Sequence, residues 1–290
     1  MSKPSMLITG GSGYLGDWVV RLARAGWQVH ATYFTRPGTE AGAHWQRLEL
    51  RDAAAVTALV EAVRPRVIVH TAAVHPSAGA DFEGVNVRGT RHVAQAAARC
   101  GAHLIHLSSD MVFDGEKGHY VESDPPHPLT DYGRSKAQAE TEVAAAGVES
   151  LIVRTSLIYG WQPRIDRQTR WIITSLRDDV PLRLFTDELR CPIWVETLAA
   201  AIVELAALSV TGILHITGAQ TLSRYEFGVR LARFHGIDPA PIIAARSRES
   251  GLNRPLDCTL NCSHAQTLLQ TTFPGVDAVL AQHRPTGDPL

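Results

Sequence analysis

The stretch at residues 6–16, MLITGGSGYLG, constrains the fold of this chain more than any other. A short apolar, β-branched run stops at the spacing Gly10-x-x-Gly13-x-x-Gly16, and the pattern after it predicts an amphipathic helix over 14–25. A strand, a glycine turn and a helix in this order indicate a site for a nucleotide pyrophosphate. The glycines let the backbone approach the phosphates closely, and the helix N-terminus offers amide groups and a partial positive charge.

Strand-like and helix-like segments alternate from the first strand to about residue 160. This alternation predicts an α/β fold, a Rossmann-type doubly wound parallel sheet with helices on both faces. We therefore assign a dinucleotide-binding domain to residues 1–160, with sheet elements contributed from later segments. The alternation loosens afterwards, and residues 161–290 are interpreted as a small C-terminal substrate-binding lobe that is not an independent domain. Ligands are expected at the carboxyl ends of the strands.

Composition excludes several functional classes. A formal net charge of −1 argues against nucleic acid or an anionic membrane as the main partner. No secretory leader is apparent, and the four cysteines lack the spacing of a disulfide framework, so we expect a reduced, cytoplasmic protein. Cys258 and Cys262, with His264 nearby, lack a second ligand pair, and no metal site is predicted.

The end of the second strand indicates which dinucleotide is bound. An NAD site usually carries an acid there for the ribose hydroxyls, whereas this chain has Tyr33-Phe34-Thr35-Arg36, with no acid and one cation. Tyr33 and Arg36 are therefore predicted cofactor contacts, and NADP is favoured over NAD, although Arg36 as a solvated loop residue is the competing interpretation. Asp52 has two equal interpretations, a contact with the adenine edge or the N-cap of the next helix.

A second constellation carries the chemistry. Ser108 and Ser109 end the fifth strand, and Tyr132-x-x-x-Lys136 lies on a predicted helix over 132–146. Residues four apart share a helix face, so the phenol and the ammonium are expected to be neighbours. A nearby cation is expected to lower the pKa of Tyr132 and make it a general acid for a carbonyl that is being reduced. Ser109 is expected to hydrogen-bond the same oxygen.

These motifs resemble the extended short-chain dehydrogenases/reductases. The resemblance rests on TGGSGYLG, HTAA at 70–73, Asn86 in VNVRGT, LSSDMVFDG, YGRSK and RTSLIYG, and covers nearly the whole chain. Three further segments narrow the resemblance to the dTDP-4-dehydrorhamnose reductase family: DELRCP, GILHITGAQTLSRYEF and NRPLDCTLNCSHAQTL. The chain is also similar to the NADP-binding β subunit of methionine adenosyltransferase.

The resemblance implies roles for individual residues. Ser109, Tyr132 and Lys136 match the catalytic triad, with Lys136 also binding the nicotinamide ribose. The pyrophosphate and the length of the cofactor would be held by Gly10, Gly13, Tyr14, Leu15, Gly16, Ala72 and Ala73.

Residues expected to contact the substrate are His75, Asp110, Met111 and Leu157. The rhamnose reductases usually carry an aromatic residue in place of Met111 and a tryptophan in place of Leu157, so the sugar itself is left open. Met111 also replaces the glutamate that a sugar dehydratase needs for eliminating water, and an epimerase is disfavoured by the missing acid after the second strand.

Two hypotheses follow. The first is an NADPH-dependent reductase that transfers hydride to a keto group of a nucleotide-linked sugar. Its expected partner is this small-molecule substrate, with a homodimer as the candidate assembly. The second is a regulatory subunit that binds NADP without turning it over. An extended-type sugar epimerase or dehydratase is a further alternative to the reductase.

Overall fold

A seven-stranded sheet is the largest element of the structure, a computed structural model that describes residues 3–76 and 79–283. In spatial order its strands are β11 (Gly212–Ile216), β6 (Ser150–Thr155), β5 (His103–Ser109), β4 (Val67–His70), β1 (Ser5–Thr9), β2 (Gln28–Tyr33) and β3 (His44–Arg47). The four pairs that join β3 through β5 are parallel. The predicted Rossmann-type α/β fold is confirmed.

Helices alternate with these strands in the first half of the chain. Along the whole described chain the α-helices are α1 (Tyr14–Ala23), α2 (Ala53–Val63), α3 (Gly89–Cys100), α4 (Asp131–Ala145), α5 (Arg167–Arg177), α6 (Val195–Leu208), α7 (Arg224–Phe234), α8 (Ser263–Leu268) and α9 (Val276–Gln282). The remaining strands are short: β7 (Ile158–Tyr159), β8 (Leu182–Phe185), β9 (Leu189–Arg190), β10 (Ile193–Trp194), β12 (Leu222–Ser223) and β13 (Ile242–Ala245). In the described part of the chain, every helix is too short or too polar to cross a bilayer.

The chain divides into two units, each assembled from three segments. Unit 1 comprises Met1–Val112, Thr130–Arg154 and Leu198–Leu214, and unit 2 comprises Phe113–Leu129, Thr155–Thr197 and His215–Leu290. The single boundary expected at residue 160 differs from this division, because local sequence patterns do not show a chain that leaves a unit and returns to it.

Strand register aligns the chemistry-bearing residues of unit 1. Thr9 on β1 pairs with His70 on β4, which pairs with His106 on β5, and Tyr33 on β2 pairs with Arg47 on β3. The carboxyl ends of these parallel strands therefore meet at one edge of the sheet. The strand order reverses between β1 and β4, and ligands of such sheets bind at this switch point.

Each unit has its own apolar core. In unit 1, β4 is buried along its whole length, as expected for a strand covered on both faces. The core of unit 2 is aromatic, with the rings of Trp161 and Trp194 at 4.5 Å and those of Tyr159 and Phe227 at 5.4 Å.

The helical segment that follows β4 begins irregularly. A π-helical stretch, Phe82–Arg88, is followed directly by α3. The side chain of Asn86 in this stretch binds the backbone of Val74 at both its amide and its carbonyl, at 2.8 and 3.2 Å. A π-helical turn of this kind is frequent at functional sites, and here it anchors the segment that follows β4.

Candidate active site

The glycine loop, residues 10–16, has no space for side chains at two of its glycines. Gly10 has a φ of 70°, and a Cβ atom there would lie 2.7 Å from the Cα atom of Ala72. A Cβ atom on Gly16 would collide with the carbonyl oxygen of Gly10. Gly13 is the N-cap of α1, so the loop presents backbone groups and the positive end of a helix dipole. The predicted strand, turn and helix are all present.

Neighbouring strands hold the glycine loop in place. The amide of Gly10 donates to the hydroxyl oxygen of Thr32 on β2 at 3.1 Å, and the Thr71 hydroxyl donates to the carbonyl of Thr9 at 2.8 Å. Ala72 and Ala73 follow β4 directly, half-buried beside the loop. Tyr14 and Leu15 form the first turn of α1, with Leu15 buried. The structure thus brings these predicted cofactor residues together.

The ends of β2 and β3 carry two arginines. Tyr33 is half-buried at the end of β2, and Arg36 is exposed shortly after it. Beside Tyr33 in register lies Arg47, whose guanidinium is 5.7 Å from the ring centroid of Phe34 and whose Nε donates to the Phe34 carbonyl at 3.1 Å. Arg47 escaped the sequence analysis, because its place beside Tyr33 depends on strand register.

Asp52 fills one of its two predicted roles. It is the N-cap of α2, and its carboxylate accepts a hydrogen bond from the amide of Ala55 at 3.0 Å. This bond satisfies one of the helix's unpaired N-terminal amides. The cap accounts for an aspartate at this position, and the adenine contact stays a prediction.

Ser109 ends β5 at the same edge of the sheet. Its hydroxyl donates a hydrogen bond to the carboxylate of Asp110 at 3.1 Å and accepts one from the amide of Met111 at 3.2 Å. These contacts fix the serine oxygen relative to the turn that follows β5. Ser109 and Asp110 are both buried.

Tyr132 lies in the first turn of α4, and Thr130 caps that helix by accepting from the amide of Gly133 at 3.0 Å. The ring of Tyr132 is half-buried, 5.8 Å from the ring of His75 and 6.0 Å from that of Phe82. His75, predicted as a ligand contact, is therefore brought to the phenol. Phe82, the first residue of the π-helical stretch, was not predicted there.

The pKa of Tyr132 differs from the prediction. The surrounding protein disfavours the phenolate, and the carboxylate of Asp110 adds to this, so the pKa of Tyr132 is raised to about 12, with a hydrogen bond from Ser109 opposing the shift. The expectation that this pKa is lowered is wrong for the chain by itself, because burial and the Asp110 carboxylate raise it. At neutral pH the phenol is protonated and is therefore a proton donor.

Lys136 is buried on the same face of α4. Its Nζ donates a hydrogen bond to the carbonyl of Leu107 on β5 at 2.5 Å. Burial lowers the pKa of the Lys136 ammonium to about 8, and the carboxylate of Glu140 opposes this shift. A buried lysine held by strand β5 is thus close to its titration point at physiological pH.

Two buried histidines lie under this lysine. The hydroxyl of Thr90 donates to the carbonyl of Asn86 at 2.6 Å and so accepts from Nε2 of His70, at 3.0 Å. Nδ1 of His70 then accepts from the Thr9 hydroxyl at 2.6 Å. Burial and the Lys136 charge lower the pKa of His70 to about 3 and that of His106, 5.3 Å away between ring centroids, well below 6.5. Both are therefore neutral at physiological pH.

A buried ion pair was missed in the sequence analysis. The side chains of Glu140 on α4 and Arg154 on β6 form a salt bridge at 2.8 Å, and the Ser108 hydroxyl donates to the same carboxylate at 2.5 Å. Glu140 follows Lys136 by four residues, so helical spacing alone places it on the same face. That spacing was the available signal. The partner on β6 is visible only in the folded sheet.

Leu157 was predicted to contact the substrate. It is half-buried in unit 2 and packs against the apolar core of that unit. Its role as a substrate contact stays a prediction.

The arrangement in unit 1 combines three chemical capacities at one sheet edge. The glycine loop offers backbone amides for an anion, Tyr132 offers a proton, and Ser109 offers a hydrogen bond beside it. A buried cation, Lys136, lies one helical turn from the phenol. Such a set suits proton transfer to an oxygen that gains negative charge during the reaction.

Comparisons with known proteins agree with this geometry. The chain is 30% identical over 240 residues to dTDP-4-dehydrorhamnose reductase of Aggregatibacter actinomycetemcomitans, covering 78% of this chain and 77% of that protein. It is 29% identical over 290 residues to methionine adenosyltransferase 2 subunit beta of Bos taurus, covering 91% of this chain and 82% of that protein.

The fold matches that of dTDP-4-dehydrorhamnose reductase from Bacillus anthracis str. Ames in complex with NADP, with a TM-score of 0.81 and 23% identity, covering 97% of this chain and 98% of that one. The model of the RmlD substrate binding domain matches residues 4–283. This chain belongs to the RmlD substrate-binding domain family.

Proposed function

We propose that this protein is an NADPH-dependent reductase that acts on a keto group of a nucleotide-linked sugar. The observation that carries the proposal is the meeting of Ser109, Tyr132 and Lys136 at the sheet edge that also carries the glycine loop. The reductase of Aggregatibacter actinomycetemcomitans, similar over most of its length, supports the same reaction class.

The residues present fit a dinucleotide. A side chain at Gly10 would collide with Ala72, and one at Gly16 with the carbonyl of Gly10, so the tight turn that a pyrophosphate-binding loop needs requires glycine at both positions. Tyr33, Arg36 and Arg47 lie where the adenine ribose would be held, and the two arginines favour a 2′-phosphate over a hydroxyl. NADP in the Bacillus anthracis complex supports this choice.

Each side chain of the site has a separate role in the proposed reduction. Bound NADPH would supply the hydride. Tyr132, protonated at neutral pH because its pKa is raised to about 12, donates its proton to the carbonyl oxygen. Ser109 hydrogen-bonds that oxygen and holds it near the phenol. Lys136 supplies the buried positive charge that favours hydroxyls of the nicotinamide ribose and an oxygen with developing negative charge.

The substrate proposed is dTDP-4-dehydrorhamnose or a related keto-sugar nucleotide. Asp110 and Met111 directly follow the catalytic serine, and the amide of Met111 binds the serine oxygen. The methionine side chain cannot exchange protons, which supports reduction over elimination of water.

The test is an activity screen. Purified protein is given NADPH or NADH with dTDP-4-dehydrorhamnose, other keto-sugar nucleotides and small ketones, with and without magnesium, and the cofactor absorbance is followed. We expect oxidation of NADPH with a keto-sugar nucleotide and a loss of about 10²–10⁴-fold in kcat for Tyr132→Phe. No turnover with any member of the panel contradicts the proposal.

A second candidate is a regulatory subunit that binds NADP. The observation in its favour is the similarity to methionine adenosyltransferase 2 subunit beta over 91% of this chain. Co-purification distinguishes the two. A stable complex with a catalytic adenosyltransferase, together with NADPH binding but no reductase activity, favours the subunit.

A further inference from the structure

Three polar side chains lie along one face of α4 at intervals of four residues. Tyr132, Lys136 and Glu140 occupy positions i, i+4 and i+8, which bring them successively onto the same side of the helix. The first two belong to the proposed active site. Glu140 lies one turn deeper, is buried, and has no part in the proton transfer described above.

Glu140 is fixed by partners from two strands. The Arg154 side chain, from β6, donates from Nε at 3.0 Å to one carboxylate oxygen and from its terminal nitrogen at 2.8 Å to the other. The Ser108 hydroxyl, from β5, donates to the first of these oxygens at 2.5 Å. The Arg154 and Glu140 side chains are 1% and 7% exposed. A buried, bidentate ion pair of this kind fixes the orientation of the Glu140 carboxylate.

Replacing a buried ion pair by apolar residues of similar volume is often neutral or stabilising, because burying two charges costs several kcal/mol of solvation. A merely structural role therefore does not require this pair. The neighbouring Lys136 suggests another role for the ion pair. Burial disfavours the charged form of the Lys136 ammonium, and the fixed Glu140 carboxylate one helical turn away opposes this effect.

The other groups that face Lys136 do not supply this negative charge. His70 on β4 and His106 on β5 are neutral at physiological pH, and charging either of them would repel the lysine. Tyr132 on α4 is a neutral phenol, and Arg154 on β6 is a cation engaged by Glu140. The carbonyl of Leu107 orients the ammonium without a full charge.

We propose that Glu140, held by Arg154 and Ser108, is a positioning residue. It keeps the Lys136 ammonium cationic and directed at the Leu107 carbonyl of β5. The proposal rests on the proposed function for its consequence, since a cationic lysine is what the reductase needs. The fixed charge itself is a property of the chain without cofactor or substrate, and can be measured separately.

The direct test is the titration of Lys136 by NMR. The chain has only three lysines, Lys3, Lys117 and Lys136, so ¹³C-labelled lysine gives three side-chain signals, and Lys3→Arg and Lys117→Arg assign them. Glu140→Gln alone leaves Arg154 as an unpaired buried cation and risks unfolding. The informative variant is therefore Glu140→Gln with Arg154→Met, which removes both charges together.

We expect the titration midpoint of Lys136 to fall by one pH unit or more in this double variant. A matched control uses the other Arg–Glu pair of α4, the half-exposed Arg91–Glu142 bridge at 2.7 Å, as Arg91→Gln with Glu142→Gln. This control is expected to leave the Lys136 midpoint unchanged. An unchanged midpoint in the Glu140→Gln, Arg154→Met protein overturns the proposal.

Binding of NADPH, followed by its fluorescence, provides the second readout. At pH 8 we expect the double variant to bind NADPH at least 5-fold more weakly than the wild type, and the difference to shrink at pH 6, where the lysine is charged in both. Failure of the wild type to bind NADPH at all would count against the proposed function, while the NMR titration would still decide the role of Glu140.

Discussion

Gly16 and Gly10 lie so close together that a Cβ atom on Gly16 would overlap the carbonyl oxygen of Gly10. The contact involves backbone on one side, so no side chain can rotate away to relieve it. The first turn of α1 and the turn after β1 are thus packed directly on each other. This close approach lets the helix N-terminus face whatever binds at the switch point of the sheet.

For this reason, Gly16→Ala is expected to weaken NADPH binding by about 10-fold or more, because the loop must open to admit the methyl group and the amides lose their alignment. Titration of NADPH fluorescence measures the effect. Gly26→Ala is the matched control, since a Cβ atom there meets nothing within 4 Å. Equal affinities in the two variants would argue against pyrophosphate binding at the loop.

Arg36 is the exposed cation that follows β2. Arg36→Ala is expected to weaken NADPH binding by about 10-fold, the loss of a charge-assisted contact of roughly 1.5 kcal/mol, and to leave NADH binding unchanged. Isothermal titration with both cofactors gives the ratio. Arg66→Ala, exposed at the amino end of β4, serves as the control. Equal losses of affinity for NADPH and NADH would show that Arg36 does not contact the 2′-phosphate.

The parts of this structure that could be predicted from sequence depend on local patterns. The glycine loop follows from turn chemistry, and the pairing of Tyr132 with Lys136 on one helix follows from a period of 3.6 residues. His75 was expected near the site because it follows a strand at its carboxyl end, and its ring lies 5.8 Å from that of Tyr132.

The missed parts depend on register and burial. Arg154 reaches Glu140 from β6, and Arg47 lies beside Tyr33 only because β2 and β3 pair as they do. The direction in which the Tyr132 pKa shifts could not be predicted from sequence either, since helical spacing shows a neighbouring cation but neither the burial nor the Asp110 carboxylate that raise this pKa.

The buried histidines make stability sensitive to acid. In the folded chain, the pKa of His70 is about 3 and that of His106 is well below 6.5, while both lie near 6.5 when unfolded. Between these values the unfolded chain binds protons that the folded chain does not, so the free energy of unfolding decreases as pH falls below 6.5. Each such histidine contributes a loss of about 1.4 kcal/mol per pH unit.

Replacing His106 removes one of these contributions. Urea denaturation at pH 7, 6 and 5 is expected to show a shallower loss of stability in His106→Leu than in the wild type. His264→Asn, at an exposed position, is expected to keep the wild-type slope. Identical slopes in His106→Leu and the wild type would mean that His106 takes up a proton as readily in the folded protein as in the unfolded chain.

Ser109 is expected to act on the transition state and not on cofactor affinity. Its hydroxyl donates to the Asp110 carboxylate at 3.1 Å and accepts from the amide of Met111 at 3.2 Å, so the serine oxygen is already oriented before substrate arrives. Ser109→Ala is expected to lower kcat by about 10²–10³-fold, as for loss of one preorganised donor, while the NADPH dissociation constant stays within about 2-fold. Single-turnover kinetics and NADPH titration separate the two effects. Ser263→Ala, exposed at the start of α8, controls for the serine substitution itself. A Ser109→Ala protein with unchanged kcat would remove this serine from the proposed mechanism and leave Tyr132 as the group that acts on the carbonyl oxygen.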